Sequence, residues 1–316
     1  MINKTYKVSI LIPAFNPGVE LLEAIKSAVN QLYTNIEILV VDDGSENKKY
    51  LNIAKEKYLN EKKIKFFSYE NNKGVSAALN FGVLESKGDF ISWLSHDDVY
   101  SKYKIKKQIE YINKNEHIKI LSSNAIVFNR KANYFKKFKL NKFKFTTNDL
   151  FYNDKLNGCG LIICKKILEE FKFDEKLRYT QDYDLWLRIS KKYTIFHYEK
   201  FLIFSRKHSG QDTIVHNSEA FKEIEKLNSN YLNEFVFDTY YYNKFNSILM
   251  SVYNYSYRGN IKIAKNIFYT YLSLSNRNYI NISFKVLFVL LVSLFGLSLN
   301  KIKFIYNYIY LRRLKN

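Results

Sequence analysis

Two periodicities alternate through the first hundred residues, and that alternation constrains the fold more than any other feature of the chain. Val8-Ser9-Ile10-Leu11-Ile12 is a short β-rich run ended by Pro13, and Ile36-Glu37-Ile38-Leu39-Val40-Val41 is a second, stopped by Asp42-Asp43-Gly44-Ser45. Residues 64–69 and Phe90-Ile91-Ser92-Trp93-Leu94 make two more, the last running into His96-Asp97-Asp98. Between them lie stretches of helical spacing: 19–31, with apolar positions at Leu22, Ile25, Ala28 and Val29, then a stretch ending near Tyr58, then 75–84. Strands separated by helices of this length predict β-α-β units and an α/β fold with a mostly parallel central sheet.

In such a sheet, ligands bind beyond the carboxyl ends of the strands. Three of the four strands end in residues suited to ligand handling: Pro13-Ala14, Asp42-Asp43 and Asp97-Asp98. Neither G-x-G-x-x-G nor G-x-x-x-x-G-K-[ST] follows the first strand, so a dinucleotide cofactor and P-loop chemistry lose their main support. Acids at strand ends suit a hard divalent cation, which prefers oxygen ligands and takes only one or two from protein when it carries a diphosphate. An isolated Asp-Asp pair also serves as an ordinary helix cap, so the pair alone decides nothing. Aromatic residues make up 17% of the chain, which excludes disorder, and two cysteines, Cys159 and Cys164, exclude a disulfide scaffold and suit a reducing compartment. Residues 1–7 lack the apolar core of a signal peptide.

Four segments taken in order carry a resemblance. They are residues 8–16, Val40-Val41-Asp42-Asp43-Gly44-Ser45, residues 72–82 beginning Asn72-Lys73-Gly74, and residues 88–98 ending Ser95-His96-Asp97-Asp98. Together they resemble glycosyltransferase family 2, closely over about the first 100 residues and more loosely to about residue 210. The resemblance implies a GT-A nucleotide-sugar sandwich and an inverting transfer from a nucleotide-sugar, a UDP-sugar foremost. It implies that Pro13 and Ala14 line the base pocket and that Asp43 accepts a hydrogen bond from the base, suiting the N3–H of uracil. It also puts Lys73 near the base or diphosphate, Asp97 toward the ribose or sugar, and Asp98 on a Mn²⁺ or Mg²⁺ ion. The chain departs from the family at Ser95-His96, where many members carry a further acid.

Downstream, Gln181-Asp182-Tyr183-Asp184-Leu185-Trp186-Leu187-Arg188 is similar to the family's Glu-Asp-x-x-Leu-Trp-x-Arg segment, with Gln181 in place of Glu. Asp182 falls at the catalytic-base position. The chemistry needs such a group, because an acceptor hydroxyl must lose its proton as it attacks the anomeric carbon. A helix cap is the alternative role for Asp182. Asp184 and Arg188, at i and i+4, pair across a helix turn or leave Arg188 to reach a phosphate. Asn157-Gly158-Cys159-Gly160 resembles the acceptor-side segment. Arg206-Lys207-His208 resembles a segment that closes these domains, where His208 would touch the diphosphate or metal.

The formal charge is +20. Part of it reflects an Asn-, Ile-, Tyr- and Lys-rich composition, so its placement matters more than its sum. Residues 130–144 hold seven Lys or Arg and no acid, interleaved with Tyr134, Phe135, Phe138 and Phe143; residues 239–316 hold eleven and no acid. Such stretches suit phosphate-bearing surfaces. The organisation expected is a GT-A domain at 1–213 and a helical, basic C-terminal region at 214–316. Within it the apolar run 286–299 would span roughly 21 Å as a helix, short of the ~30 Å hydrocarbon core. It reads as an interfacial helix with a basic tail (Lys301, Lys303, Arg312, Arg313, Lys315), or else as a helix buried in a bundle or dimer interface. The expected partners are a nucleotide-sugar, a glycan or lipid-linked glycan of bacterial surface polysaccharide or lipooligosaccharide synthesis, and an anionic membrane surface. The expected location is the cytoplasmic face of the inner membrane, without nucleic acid. A basic nucleic-acid- or membrane-binding protein without transferase activity is the rival, and it leaves the ordered acids unexplained.

Overall fold

The computed structural model describes residues 4–129, 133–140, 142–147, 149–150, 156–208, 210–211 and 215–232. The expected apolar run 286–299, the basic tail and the boundary at 213 lie outside these residues. Nearly all described residues fall in one compact unit, Met1–Leu150 with Asp154–Ala220. Among them no helix is long and apolar enough to cross a membrane.

The first half follows the sequence pattern closely. Strand β1 (Val8–Ala14), helix α1 (Glu20–Val29), β2 (Ile36–Asp42), α2 (Lys49–Lys57), β3 (Ile64–Ser68), α3 (Val75–Glu85) and β4 (Phe90–Trp93) succeed one another. Every residue of β1 and β2 is buried, as expected of central parallel strands covered on both faces. Helix α1 turns Leu21, Ala24, Ile25 and Ala28 into the core, and its first turn carries Glu20 and Glu23 where the helix dipole favours acids.

β1 pairs in parallel with β2 and with β4, and β2 in parallel with β3. The register sets Ala14 opposite Asp42, so the loops after β1, β2 and β4 open on the same edge of the sheet. These loops are tied together. Asn16, at φ 42°, accepts the backbone N–H groups of Glu46 and Asn47 on its side-chain oxygen, and its own N–H donates to Ser45 Oγ.

The second half is mixed. β5 (Val99–Tyr100), α4 (Lys104–Lys114), β6 (Ile120–Asn129), β7 (Tyr134–Phe138) and β8 (Lys144–Phe145) come first. A 3₁₀ turn at Gly158–Gly160, β9 (Ile162–Cys164), α5 (Lys165–Glu170), α6 (Gln181–Ser190), β10 (Ile195–Arg206) and α7 (Asn217–Leu232) complete the order. The sheet runs β3-β2-β1-β4-β9-β6-β10-β5, with β7 beside β6 and β8 beside β10. Only β6 and β10 pair in parallel here; β9, β7, β5 and β8 join antiparallel. Sequence periodicity predicts the parallel half well. A short strand such as β5 exists because a neighbouring strand offers a free edge, which no local pattern announces, whereas β9 falls where a strand is expected after Gly160.

A buried polar cluster braces this junction. Lys104, wholly enclosed, donates to Ser92 Oγ (2.7 Å), Gln108 Oε1 (2.9 Å) and the Leu161 carbonyl (3.2 Å), and lies over the Tyr100 ring. Burial lowers its pKa to about 7.

Candidate active site

One cleft of about 1280 Å³ opens over the carboxyl ends of the parallel strands. Pro13, Ala14, Asp43, Asp97, Asp98, Asp182 and His208 all border it. Seven of the eight residues singled out in the sequence therefore meet at one place; Lys73 is the exception.

The floor of the cleft is built on Asp43. Its backbone N–H donates to the Ala14 carbonyl, which holds the ends of β1 and β2 together. Its Oδ1 accepts from Lys73 N (2.8 Å), and its Oδ2 accepts from Gly74 N (2.8 Å) and Asn72 Nδ2 (3.0 Å). A carboxylate has about four acceptor positions, so roughly one remains for a ligand. Burial raises the pKa of this carboxyl, opposed by the two backbone N–H groups and by the charge of Arg178.

The geometry depends on two glycines in the left-handed region, Gly44 (φ +70°) and Gly74 (φ +95°). A Cβ on Gly44 would lie 2.3 Å from the Asn71 carbonyl carbon. Since the 72–74 backbone turns its amides toward Asp43, the Lys73 side chain leaves the cleft and sets its Nζ 4.5 Å from the centre of the Tyr69 ring. Its backbone N–H nevertheless stays against Asp43, so Lys73 stands beside the cleft floor.

At the second edge the two adjacent acids make different contacts. Asp98, 5% exposed, accepts from Arg206 N (2.7 Å) on Oδ1 and from Ser205 Oγ (3.2 Å) on Oδ2, with the Cys159 thiol also against it. Burial, and then the charge of Asp97, push its pKa up. Asp97 instead faces His208, with Oδ2 and Nε2 2.9 Å apart. Asp97 thus meets His208, while Asp98 meets β10 and still borders the cleft; adjacent residues point different ways, and the hydrogen bonds decide which way each points.

Asp97 and His208 offer one oxygen and one nitrogen, a donor set that suits Mn²⁺ or Mg²⁺ already carried by a diphosphate. Among the described residues no cluster of three or more such ligands exists, so these residues fit a shared ion and not a closed structural site. Arg206 braces the edge: Nη2 meets Glu23 Oε2 (2.6 Å), Nε donates to the Asp97 carbonyl (2.9 Å), and the guanidinium covers the Phe128 ring.

The facing wall comes from α6 and the 3₁₀ turn. Asp182, in the first turn of α6, accepts the Tyr183 backbone N–H on Oδ1 at 2.8 Å, so it makes a cap-like bond while bordering the cleft. Burial raises its pKa to about 6, near the value that suits a general base at neutral pH. Trp186 stacks on Trp93, centroids 5.9 Å apart, and Gly158 presses against Trp93 so closely that a Cβ would fall 2.2 Å from the ring. Arg188 chooses the helix-turn pairing: Nε and Nη2 hold Asp184, and two more bonds go to the Phe171 and Lys172 carbonyls.

Sequence reasoning did not single out Arg178. It borders the cleft, donates from Nη1 to Asn72 Oδ1 (2.9 Å) and lies against Gly74, joining wall to floor across 106 residues. A lone arginine four residues before Asp182 carries no pattern that would have marked it.

Comparison with known proteins agrees with this architecture. The family described as Glycosyl transferase family 2 matches residues 9–171. An uncharacterized glycosyltransferase of Rickettsia typhi is 35% identical over 238 residues, 72% of each chain. One of Rickettsia conorii is 36% identical over 72% of this chain but only 38% of its own, so this chain spans little more than a third of that relative. An Escherichia coli protein, 27% identical over 70% of this chain and 83% of its own, is a UDP-Glc:alpha-D-GlcNAc-diphosphoundecaprenol beta-1,3-glucosyltransferase.

Among solved structures, Staphylococcus aureus TarS 1-349 with UDP-GlcNAc superposes with a TM-score of 0.57 at 17% identity, over 92% of this chain and 73% of its own. A Pyrobaculum calidifontis mannosyltransferase with GDP-Man and Mn²⁺ superposes with 0.59 at 10% identity, over 86% and 76%. At such identities the likeness is one of GT-A fold.

Proposed function

Because this chain belongs to glycosyltransferase family 2, we propose that it moves a sugar from a UDP-sugar to a hydroxyl of a lipid-linked glycan, with inversion and with a divalent cation. One observation carries the reading: Asp43, Asp97 and Asp182, each from a different strand end or helix start, border a single cleft of about 1280 Å³.

In this reading Pro13, Ala14 and the remaining acceptor position of Asp43 receive the base. Asp97 and His208 would hold the cation, which would supply charge to offset the departing diphosphate. Asp98 keeps the end of β10 in place, so that His208 stays opposite Asp97. Asp182 takes the proton of the acceptor hydroxyl as that oxygen attacks the anomeric carbon, and its negative charge also favours an oxocarbenium-like transition state. A single displacement with one base inverts the anomeric centre. The lipid-linked acceptor is supported by the diphosphoundecaprenol acceptor of the Escherichia coli relative. Work on such an acceptor suits a cytoplasmic protein peripheral to the inner membrane, in polysaccharide or lipooligosaccharide synthesis. Within the chain we assign the transferase to residues 1–213 and assign 214–316 to a separate basic region.

Calorimetry with UDP and GDP, with and without Mn²⁺, on the wild type and on Asp97→Asn tests the donor side. Binding of UDP that needs Mn²⁺ and weakens in the variant is expected. Preference for GDP would overturn the role of Asp43, and binding indifferent to metal and to the variant would overturn the cation site.

A further inference from the structure

We propose that the exposed edge of the sheet at β7, carrying Tyr134, Phe135, Lys136 and Lys137, is the surface on which this protein docks to an anionic lipid leaflet, beside the mouth of the cleft. The proposal shares with the preceding reading the idea of a membrane-borne acceptor, but it concerns binding and needs no turnover.

Three observations carry it. First, β7 pairs only with β6 among the described residues, and Tyr134 through Lys137 are all exposed. Lysines on an edge strand are the ordinary defence against edge-to-edge pairing. Exposed aromatic residues there do the opposite, and Phe135 is 66% exposed and Tyr134 39%. An edge that shows both calls for a partner that accepts rings and positive charge together, which the headgroup region of a bilayer does.

Second, the charge is left uncompensated where the rings are exposed. Farther along the run, Lys139 pairs with Glu199 and Lys142 with Asp149. Among the described residues Lys136 and Lys137 have no carboxylate partner; Lys137 lies over the Phe201 ring instead. The run 130–144 contains no acid at all. A surface of this kind attracts an anionic leaflet and gains with each basic residue near it.

Third, the patch is continuous with the active cleft. Asn129, which borders the cleft, pairs with Tyr134 across the hairpin. Phe135 stacks on Phe128, centroids 6.2 Å apart, and the same Phe128 ring is covered by Arg206, which holds the Asp97 carbonyl. A leaflet seated on this edge would lie next to the place where a lipid-linked sugar must enter, which is the geometry an acceptor anchored in that leaflet needs.

The test is co-sedimentation of the full chain with vesicles of phosphatidylcholine and phosphatidylglycerol in equal parts, against phosphatidylcholine alone. The variant is Lys136→Glu with Lys137→Glu, and Phe135→Ser is the second. Expected are binding to the anionic vesicles that fades with salt, a loss of about tenfold or more in the double charge reversal, and a smaller, severalfold loss in Phe135→Ser. UDP binding by calorimetry serves as the control for folding and should be the same in all three proteins. A failure of UDP binding even in the wild type would count against the donor assignment and leave the vesicle result standing by itself.

The proposal is overturned if the double variant sediments as the wild type does, or if neutral vesicles bind equally well. It is also overturned if reversing Arg312, Arg313 and Lys315 abolishes binding while the β7 reversal leaves it intact. Oligonucleotide binding that the β7 reversal removes, or a dimer that it splits, without any vesicle effect, would assign the edge to nucleic acid or to a second copy instead.

Discussion

The floor and the wall of the cleft are made by different means. On the floor, backbone amides do the holding: Asp43 gathers Lys73 N and Gly74 N, and Asn16 gathers Glu46 N and Asn47 N. These groups belong to consecutive strand-end loops of a parallel sheet, and the registers of β1 with β2 and of β2 with β3 already bring them close. On the wall and the metal edge, side chains reach across long stretches of sequence: Arg178 to Asn72, His208 to Asp97, Arg206 to Glu23. Amide-held groups are preformed with the sheet. Side-chain pairs can open one rotamer at a time, and they lie where a donor and an acceptor must enter and leave. The floor is therefore built into the fold, whereas the wall and the facing edge rest on a few separable contacts; on the function proposed above, the first would bind the base and the second would close around the reacting atoms.

The sharpest way to separate the two is Asp182→Asn. Loss of the base is expected to lower kcat about 10²- to 10⁴-fold with UDP affinity unchanged. The same variant should be more stable. The folded pKa of about 6 lies above the usual carboxyl value, so folding favours the protonated form, and ionisation above about pH 6 costs stability. The full shift corresponds to about 3 kcal/mol; with water reaching the open side of the group, about 1–2 kcal/mol is expected at neutral pH. Urea melts at several pH values should show that gap closing as pH falls from 6 to 4. Wild-type activity should fall over the acid limb through about pH 6.

Asp43→Ala comes next and should act oppositely, on stability and donor binding together. It leaves two buried amides without their acceptor, which is expected to cost about 2–3 kcal/mol and to remove UDP binding; denaturant midpoints and calorimetry read both. If the midpoint stays put, the floor is less amide-held than described. Gly158→Ala presses a methyl group into Trp93 and should cost about 1–3 kcal/mol by overpacking. Turnover should fall more than UDP affinity, because the wall moves and the floor does not.

The smallest effect is expected for His208→Ala. Among the described residues its half-open ring pairs with Asp97 at the cleft edge. Stability should stay within about 0.5 kcal/mol of the wild type, and Mn²⁺-dependent UDP binding should weaken roughly tenfold, about 1.4 kcal/mol. A large fall in stability would show the metal edge to be as integral as the floor.

Much of the floor was legible in the sequence. Strand ends are marked by Pro13, by Asp42-Asp43-Gly44 and by the end of an apolar run at Leu94, so Pro13, Ala14 and the Asp42-Asp43 pair follow from pattern and strand order, and the choice of Asp43 from the family resemblance. Which of Asp97 and Asp98 meets β10 was not legible, since neighbours in a chain are chemically alike until Arg206 N and Ser205 Oγ choose one of them. At Lys73 it is the backbone N–H that Asp43 uses, a contact that residue type does not announce. Arg178 was invisible because its significance lies in a partner 106 residues away.

By itself, then, the sequence determined the α/β alternation, the carboxyl-edge location of the acids and the family, because each depends on local periodicity or on an ordered set of short motifs. Only the tertiary structure decided which of Asp97 and Asp98 meets β10, where the Lys73 side chain points and which arginine joins wall to floor. These depend on contacts between segments far apart in the chain. Such contacts are fixed by burial and by the satisfaction of buried polar groups once the sheet has closed, and local sequence carries no record of them.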